Sequence, residues 1–177
     1  MAVLETILSF FSAAAPPVET VVPAARCEYS LKPLALDHLN EVLRLNIRCF
    51  QNGDNYTKHT FDYLLNEPRT LSYGIWTGRD DLAGFAFVMV AEDGSAHLTT
   101  IGVAPEHRRR GLALMLLEKI EAALLNRGVN TLILEVRVGN DGAQKLYRDT
   151  GFNVVQRIIK YYNNGEDCFL MMKALKK

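Results

Sequence analysis

"HRRRGLALML", residues 107–116, decides the fold. Three consecutive arginines run into a glycine and then into an apolar stretch of helical spacing, a few residues after "AHLTTIGV" (residues 96–103), which reads as a strand. A helix that starts here leaves several backbone N–H groups without intrahelical acceptors, at the end where the helix carries partial positive charge. Such a corner is suited to hold an anion. Gly111 and Ala113 remove bulk from the approach, and Arg108, Arg109 and Arg110 add full charges and paired donors that suit phosphate. Neither G-x-x-x-x-G-K-[ST] nor G-x-G-x-x-G occurs in the chain, so the phosphate does not belong to a nucleotide held by either of those loops.

Working outward, the apolar positions Leu112, Leu116, Ile120, Ala123 and Leu124 predict a helix over residues 109–127, with Gly128 as its stop. Upstream of it "LSYGIWT" (71–77), "LAGFAFVMVA" (82–91) and "AHLTTIGV" read as strands. The turn-like spacers "GRDD" and "EDGS" between them suit antiparallel neighbours. Earlier still, "CEYSLKP" (27–33) alternates like a strand. Asp37 reads as the cap of a helix that buries Leu39, Val42, Leu43 and Ile47, and Thr57 as the cap of a short helix closed by Pro68. Downstream, "NTLILEVRV" (130–138) is a buried strand and Asn140 to Thr150 a helix. "FNVVQRIIKYY" (152–162) and "CFLMMKAL" (168–175) are two last strands around the turn "NNGED". The order β-α-α-β-β-β-α-β-α-β-β predicts an α+β fold, a sheet of mixed strand direction covered by helices.

The chain has 177 residues, 49% hydrophobic and 23% charged, with twenty basic side chains against twenty acidic ones. That is one domain with a real core, and its balance gives no argument for nucleic acid or a membrane as partner. Cys27, Cys49 and Cys168 are odd in number and far apart, with no C-x-x-C pair. They indicate neither a disulfide framework nor a zinc site, and point to the reducing cytoplasm. Residues 1–26 form an extension: Leu4, Ile7, Leu8 and Phe11 recur at helical spacing, and a Pro- and Ala-rich linker follows. Glu5, the missing basic start and the short apolar run argue against an export signal or a membrane span. The apolar face of this helix would dock on its own domain or on a second copy, as a homodimer.

"IGVAPEHRRRGLA", "LILEVRVGNDGAQKLYRDTGF" and "IIKYYNNGED" together resemble the GCN5-related N-acetyltransferases, whose signature is [Q/R]-x-x-G-x-[G/A]. Arg108, Gly111 and Ala113 occupy its fixed places, and the likeness covers roughly Tyr29 to Lys173, nearest to the ribosomal-protein-alanine N-acetyltransferases. The resemblance implies a mostly antiparallel seven-stranded sheet flanked by about four helices and splayed between strands 4 and 5, over residues 27–177. It implies acetyl-CoA as cosubstrate and no metal. Backbone groups of Ile101, Gly102 and Val103 would meet its thioester arm. Arg108, Arg109, Arg110, Gly111, Leu112, Ala113 and Leu114 would hold its pyrophosphate, and Asn140 would bond the arm or merely cap its helix.

By the same resemblance Glu135 is the general base and Tyr147 the general acid. Tyr161 and Tyr162 flank the acceptor, an N-terminal α-amine of a protein or peptide. From the residues alone, Glu135 is out of place in the apolar strand "LILEVRV" unless it faces a site or pairs with Arg137 on the same face. Tyr147 also reads as a core tyrosine. Tyr161 and Tyr162, as neighbours in a strand, would point to opposite faces, so at most one would line a groove. The chain departs from the family in the loop "FQNGDNYTKHTF", which lacks the Pro-Trp pair often seen in the ribosomal enzymes. The acceptor therefore stays open between an α-amine, a lysine side chain and a small amine. A silent acyl-CoA sensor is the reading from another class.

Overall fold

The computed structural model describes residues 21–50 and 55–176; the helix expected around Leu4 to Phe11 lies outside them. The elements are β1 (Tyr29–Pro33), α1 (Leu39–Cys49), α2 (Lys58–Asn66), β2 (Thr70–Thr77), β3 (Leu82–Val90), β4 (Ser95–Val103), α3 (Leu112–Asn126), β5 (Thr131–Arg137), α4 (Asp141–Asp149), β6 (Asn153–Ile158) and β7 (Cys168–Ala174). Their order is the one the sequence predicts. They form a seven-stranded sheet in the order β1-β2-β3-β4-β5-β7-β6, antiparallel throughout except for the parallel pair β4 and β5.

β3 shows why helices cover both faces. Its residues Ala83 to Val88 are all buried, the mark of a strand with no solvated face. Successive side chains alternate. Phe85 and Phe87 meet Val42, Leu45, Phe61 and Leu64 of α1 and α2 in one core. Ala86 and Val88 belong to a second core with Leu112, Leu116, Ile120 and Leu124 of α3 and Tyr147 of α4.

Several local expectations shift. β1 starts at Tyr29, two residues after Cys27. Asp37 caps nothing; it sits inside a 3-10 turn, Leu36–His38, that leads into α1. Ile47 is 60% exposed, and the buried positions of α1 are Val42, Leu45 and Asn46. Thr57 does cap α2, its Oγ1 accepting the Thr60 N–H at 3.2 Å. α3 starts at Leu112, later than expected, because Arg109 (φ 61°) and Gly111 (φ 79°) are left-handed. Helical geometry cannot begin until the chain has passed both. Tyr161 and Tyr162 follow the end of β6 and stand in the loop before β7, so the strand argument about their faces does not apply.

The parallel pair is short. β4 and β5 match only at Ser95↔Thr131, Ala96↔Leu132 and His97↔Ile133. Beyond that point β4 stays with β3 up to Gly84↔Val103, while β5 stays with β7 up to Arg137↔Cys168. The sheet therefore splits in its middle. Gly102 shows how tightly the split is backed on one side: a Cβ there would lie 2.9 Å from the Phe85 ring and 3.0 Å from Cys49 Sγ.

Gly102→Ala is expected to destabilise the fold by about 1–3 kcal/mol through overpacking, a fall in melting temperature of roughly 2–4 °C per kcal/mol. Scanning calorimetry checks this, and an unchanged melting temperature would show that the Phe85 ring yields freely.

Candidate active site

The split puts polar backbone at the centre of the sheet. The Ala104 N–H donates to the Ala83 carbonyl at 2.8 Å. Antiparallel pairs alternate between bonded and non-bonded residues, so Gly102 turns its amide and carbonyl to β3 while Ile101 and Val103 turn theirs toward the opening. Of the three backbone positions named from the sequence, two face the split. Arg108 Nε donates to the Val103 carbonyl at 3.1 Å and closes one of these groups.

At the mouth of the split the chain passes through left-handed Arg109 and Gly111 into α3. Among the described residues no backbone acceptor takes the N–H of Arg109, Arg110, Gly111, Leu112, Ala113 or Leu114; the first amide bonded back is that of Met115, to Gly111 at 3.0 Å. Consecutive amides freed by left-handed residues form an anion-binding hollow, and the start of α3 adds its partial charge. The guanidinium groups behave otherwise than expected. Arg108 reaches the Val103 and Cys49 carbonyls. Arg110 reaches the Ala24 and Ala25 carbonyls and the Tyr29 hydroxyl. Two of the three side chains are thus engaged with the protein, because long flexible donors this near chain carbonyls satisfy them first. Arg109 has no partner among the described residues.

Inside the split stands Glu135. Along β5 Leu132, Leu134 and Val136 are buried while Ile133, Glu135 and Arg137 are partly exposed, as alternation requires. The Glu135 carboxylate accepts from Nε2 of His97 at 2.6 Å, and Arg137 pairs with Glu166 at 2.5 Å and lies over the Tyr162 ring at 3.7 Å. The Glu135 to Arg137 ion pair is therefore replaced by two separate pairs. His97 was missed in the sequence; a histidine inside the alternating strand "AHLTTIGV" was the available signal.

The charge of Glu135 marks out its neighbours. Burial foremost, and then Glu135, raises the phenols of Tyr56 and Tyr161 and the thiol of Cys168 above their ordinary values. Tyr56 also donates to the Thr99 carbonyl at 3.1 Å. Tyr56 comes from the loop the sequence reading found atypical, and it is the second residue that reading missed. Tyr162 stacks edge to face on Tyr161 at 5.1 Å.

Tyr147 stands apart. It is 5% exposed, packs against Phe152 with centroids 5.6 Å apart, and belongs to the core of α3 and α4. Burial alone holds its phenol well above the ordinary tyrosine range. Asn140 caps α4, its Oδ1 accepting the Ala143 N–H at 3.1 Å. Among the described residues no helix is long and apolar enough to cross a membrane.

A mixed sheet split at its one parallel pair, with an amide-lined hollow at the mouth of the split, defines the structural class. Residues 39–152 match the model of the acetyltransferase (GNAT) family, and the chain belongs to that family. It is 30% identical over 149 residues, 80% of each chain, to N-alpha-acetyltransferase daf-31 of Caenorhabditis elegans. It is 43% identical over 98 residues to the ribosomal protein bS18-alanine N-acetyltransferase of Salmonella typhimurium, across 54% of this chain and 66% of that enzyme. The solved ribosomal-protein-S18-alanine N-acetyltransferase of Escherichia coli superposes with a TM-score of 0.76 at 30% identity, over 85% of this chain and 96% of that one.

The buried phenol has a consequence for stability. Tyr147 holds its proton more tightly folded than unfolded, so its contribution is complete below the unfolded value near 10 and is lost as pH rises past it. Urea midpoints are expected to fall between about pH 9 and 11, and to fall less steeply in Tyr147→Phe. Parallel slopes in the two proteins would contradict the shift.

Proposed function

We propose that this acetyltransferase moves an acetyl group from acetyl-CoA to the N-terminal α-amine of a protein, by direct attack in a ternary complex. The observation that carries the reading is the row of open amides from Arg109 to Leu114 at the mouth of a split that holds Glu135. Consecutive N–H donors with no acceptor among the described residues, small residues at 111 and 113, and Arg109, with no partner among those residues, fit the diphosphate of an acyl-CoA. When bound there, acetyl-CoA would supply an acetyl thioester.

The chain's own residues then divide the work. The Ile101 and Val103 amides, turned into the split, are fixed donors of the kind that stabilise negative charge on a carbonyl oxygen. Asn140 keeps its side-chain oxygen on the Ala143 amide and so sets the start of α4 beside the cosubstrate arm. Glu135, held by His97, accepts the proton of the attacking amine, through water where the gap requires it. Tyr147, kept protonated by burial, supplies a proton to the leaving thiolate. Tyr161, Tyr162 and Tyr56 shape the acceptor side. Burial and then Glu135 raise the phenols of Tyr56 and Tyr161, whereas burial alone raises that of Tyr147, so base and acid would sit in different surroundings.

Proton arithmetic favours an α-amine. With a pKa near 8 it is roughly 10% neutral at pH 7, against about 0.04% for a lysine, a difference of roughly 3 kcal/mol before any tuning. One carboxylate suffices more readily for the first. The similarity to enzymes named for N-terminal acetylation points the same way. Free Cys27, Cys49 and Cys168 fit a reducing cytoplasm.

Incubating the protein with labelled acetyl-CoA and an extract lacking it, then mapping labelled peptides by mass spectrometry, should show label at protein N-termini. Label on lysines or on small amines alone would reject the acceptor. In steady-state kinetics Glu135→Gln should lower kcat/KM at pH 7 by about 10²–10⁴. Part of that loss should be recovered at higher pH, where the amine deprotonates unaided. A wild-type pH profile in the variant would remove Glu135 from the base role.

A further inference from the structure

Residues 21–28 lie outside the family resemblance and outside the sheet, yet they are fastened to the loop that opens α3. The Ala24 N–H donates to the Glu106 carbonyl at 3.0 Å. Arg110 grips the strap from the other side, with Nη2 on the Ala24 carbonyl and Nη1 on the Ala25 carbonyl at 3.0 Å. Nη1 also donates to the Tyr29 hydroxyl at 2.9 Å. With its oxygen taken by Arg110, that hydroxyl directs its one proton to Nδ1 of His107 at 2.8 Å. The Tyr29 ring meets the His107 ring edge to face at 5.7 Å, and His107 is 9% exposed. Residues 106, 107 and 110 are thus all tied to residues 24, 25 and 29.

We infer that the strap of residues 24–29 is a brace that preorganises the amide hollow, and that Arg110 is a positioning residue acting through the strap, not a phosphate ligand. Left-handed geometry at Arg109 is costly for the chain to hold unaided, since its side chain has a Cβ that Gly111 lacks. Between them Arg110 points its guanidinium away along the strap, which fixes the peptide units on both sides. Arg108, bonded to the Val103 and Cys49 carbonyls, anchors the other end of the same loop to β4 and α1. A hollow whose amides already point at the anion saves the ligand the ordering that a loose loop would require. The inference rests on the acetyl-CoA reading only for the identity of that ligand.

Full-length Tyr29→Phe, Ala24→Pro and Arg110→Gln test it. Tyr29→Phe keeps the ring packing and removes the hydroxyl shared by Arg110 and His107; Ala24→Pro removes the strap's donor. Each should raise the dissociation constant of CoA, read by calorimetry, and the KM for acetyl-CoA by about five- to tenfold. The kcat should stay within about twofold. Hydrogen exchange at the bonded amides flanking the hollow, His107 and Met115, should quicken in the ligand-free protein. In Arg110→Gln combined with Ala24→Pro, the CoA constant should rise no further than in the worse single variant, since both break one brace. Factors that multiply would place Arg110 on the ligand itself, and wild-type exchange in both Tyr29→Phe and Ala24→Pro would dismiss the brace; either result overturns the inference. Failure of the unaltered protein to bind CoA would refute the acetyl-CoA reading alone, because exchange is measured without ligand.

Discussion

The structure depends on unpaired backbone in the middle of a sheet. Past His97 and Ile133 the parallel strands β4 and β5 no longer meet, and peptide groups that a continuous sheet would satisfy are left facing a gap. Such groups are expensive to bury without partners, so each half of the sheet must be rigid enough to keep the gap from closing. β4 pairs with β3 to its last residue, and β5 pairs with β7 over its whole length from Thr131 to Arg137. Phe85 and Phe87, wedged under α1 and α2, stiffen one half. The other half is backed by Leu132, Leu134 and Met171 against α3 and α4. What the gap lacks in pairing it offers to a ligand that brings its own acceptors and donors.

Much of this was legible because period and punctuation agree. The apolar run "LAGFAFVMVA" between two turn-like spacers read as a strand, and the apolar face of α3 with Gly128 behind it as a helix with a stop; the burial of Ala83 to Val88 adds that the strand is covered on both faces. What failed was local and had local causes. The early start assigned to α3 ignored that an arginine can adopt a left-handed conformation, as Arg109 does beside Arg110, whose side chain is tied to the Ala24 and Ala25 carbonyls. Ile47 counted as buried on spacing alone, but the face that α1 turns to the core carries Val42, Leu45 and Asn46, which leaves Ile47 outside it. Strand boundaries near Tyr161 escaped because "IIKYY" is apolar enough to extend β6, while left-handed Lys160 ends it.

The site was legible by residue type more than by arrangement. Glu135 stood out as a carboxylate in an apolar strand, and it does face the split. Its partner did not stand out, since His97 is distant by 38 residues and only the three-residue parallel register carries it there. Tyr56 is harder still, because it enters from a loop whose sequence has no periodic signal. The arginines show the converse. A run of three suggested three phosphate ligands, yet backbone carbonyls close at hand claim Arg108 and Arg110. Side-chain charge can be read from a sequence, but its direction is set by the nearest acceptor.

That distinction bears on how the chain handles protons. A carboxylate takes up a proton in a defined place only if it is itself held in place, and His97 does the holding for Glu135 at 2.6 Å. A phenol serves as donor only if it cannot lose its proton early, and burial in the core of α3 and α4 does that for Tyr147. The same sheet thus offers a partly exposed, paired carboxylate on β5 and a dry phenol on α4. In the proposed reaction base and acid would be separated by environment, with no need for the two groups to touch. The packing of Tyr147 would there keep its proton in place until a thiolate forms beside it, at the cost of a weaker acid.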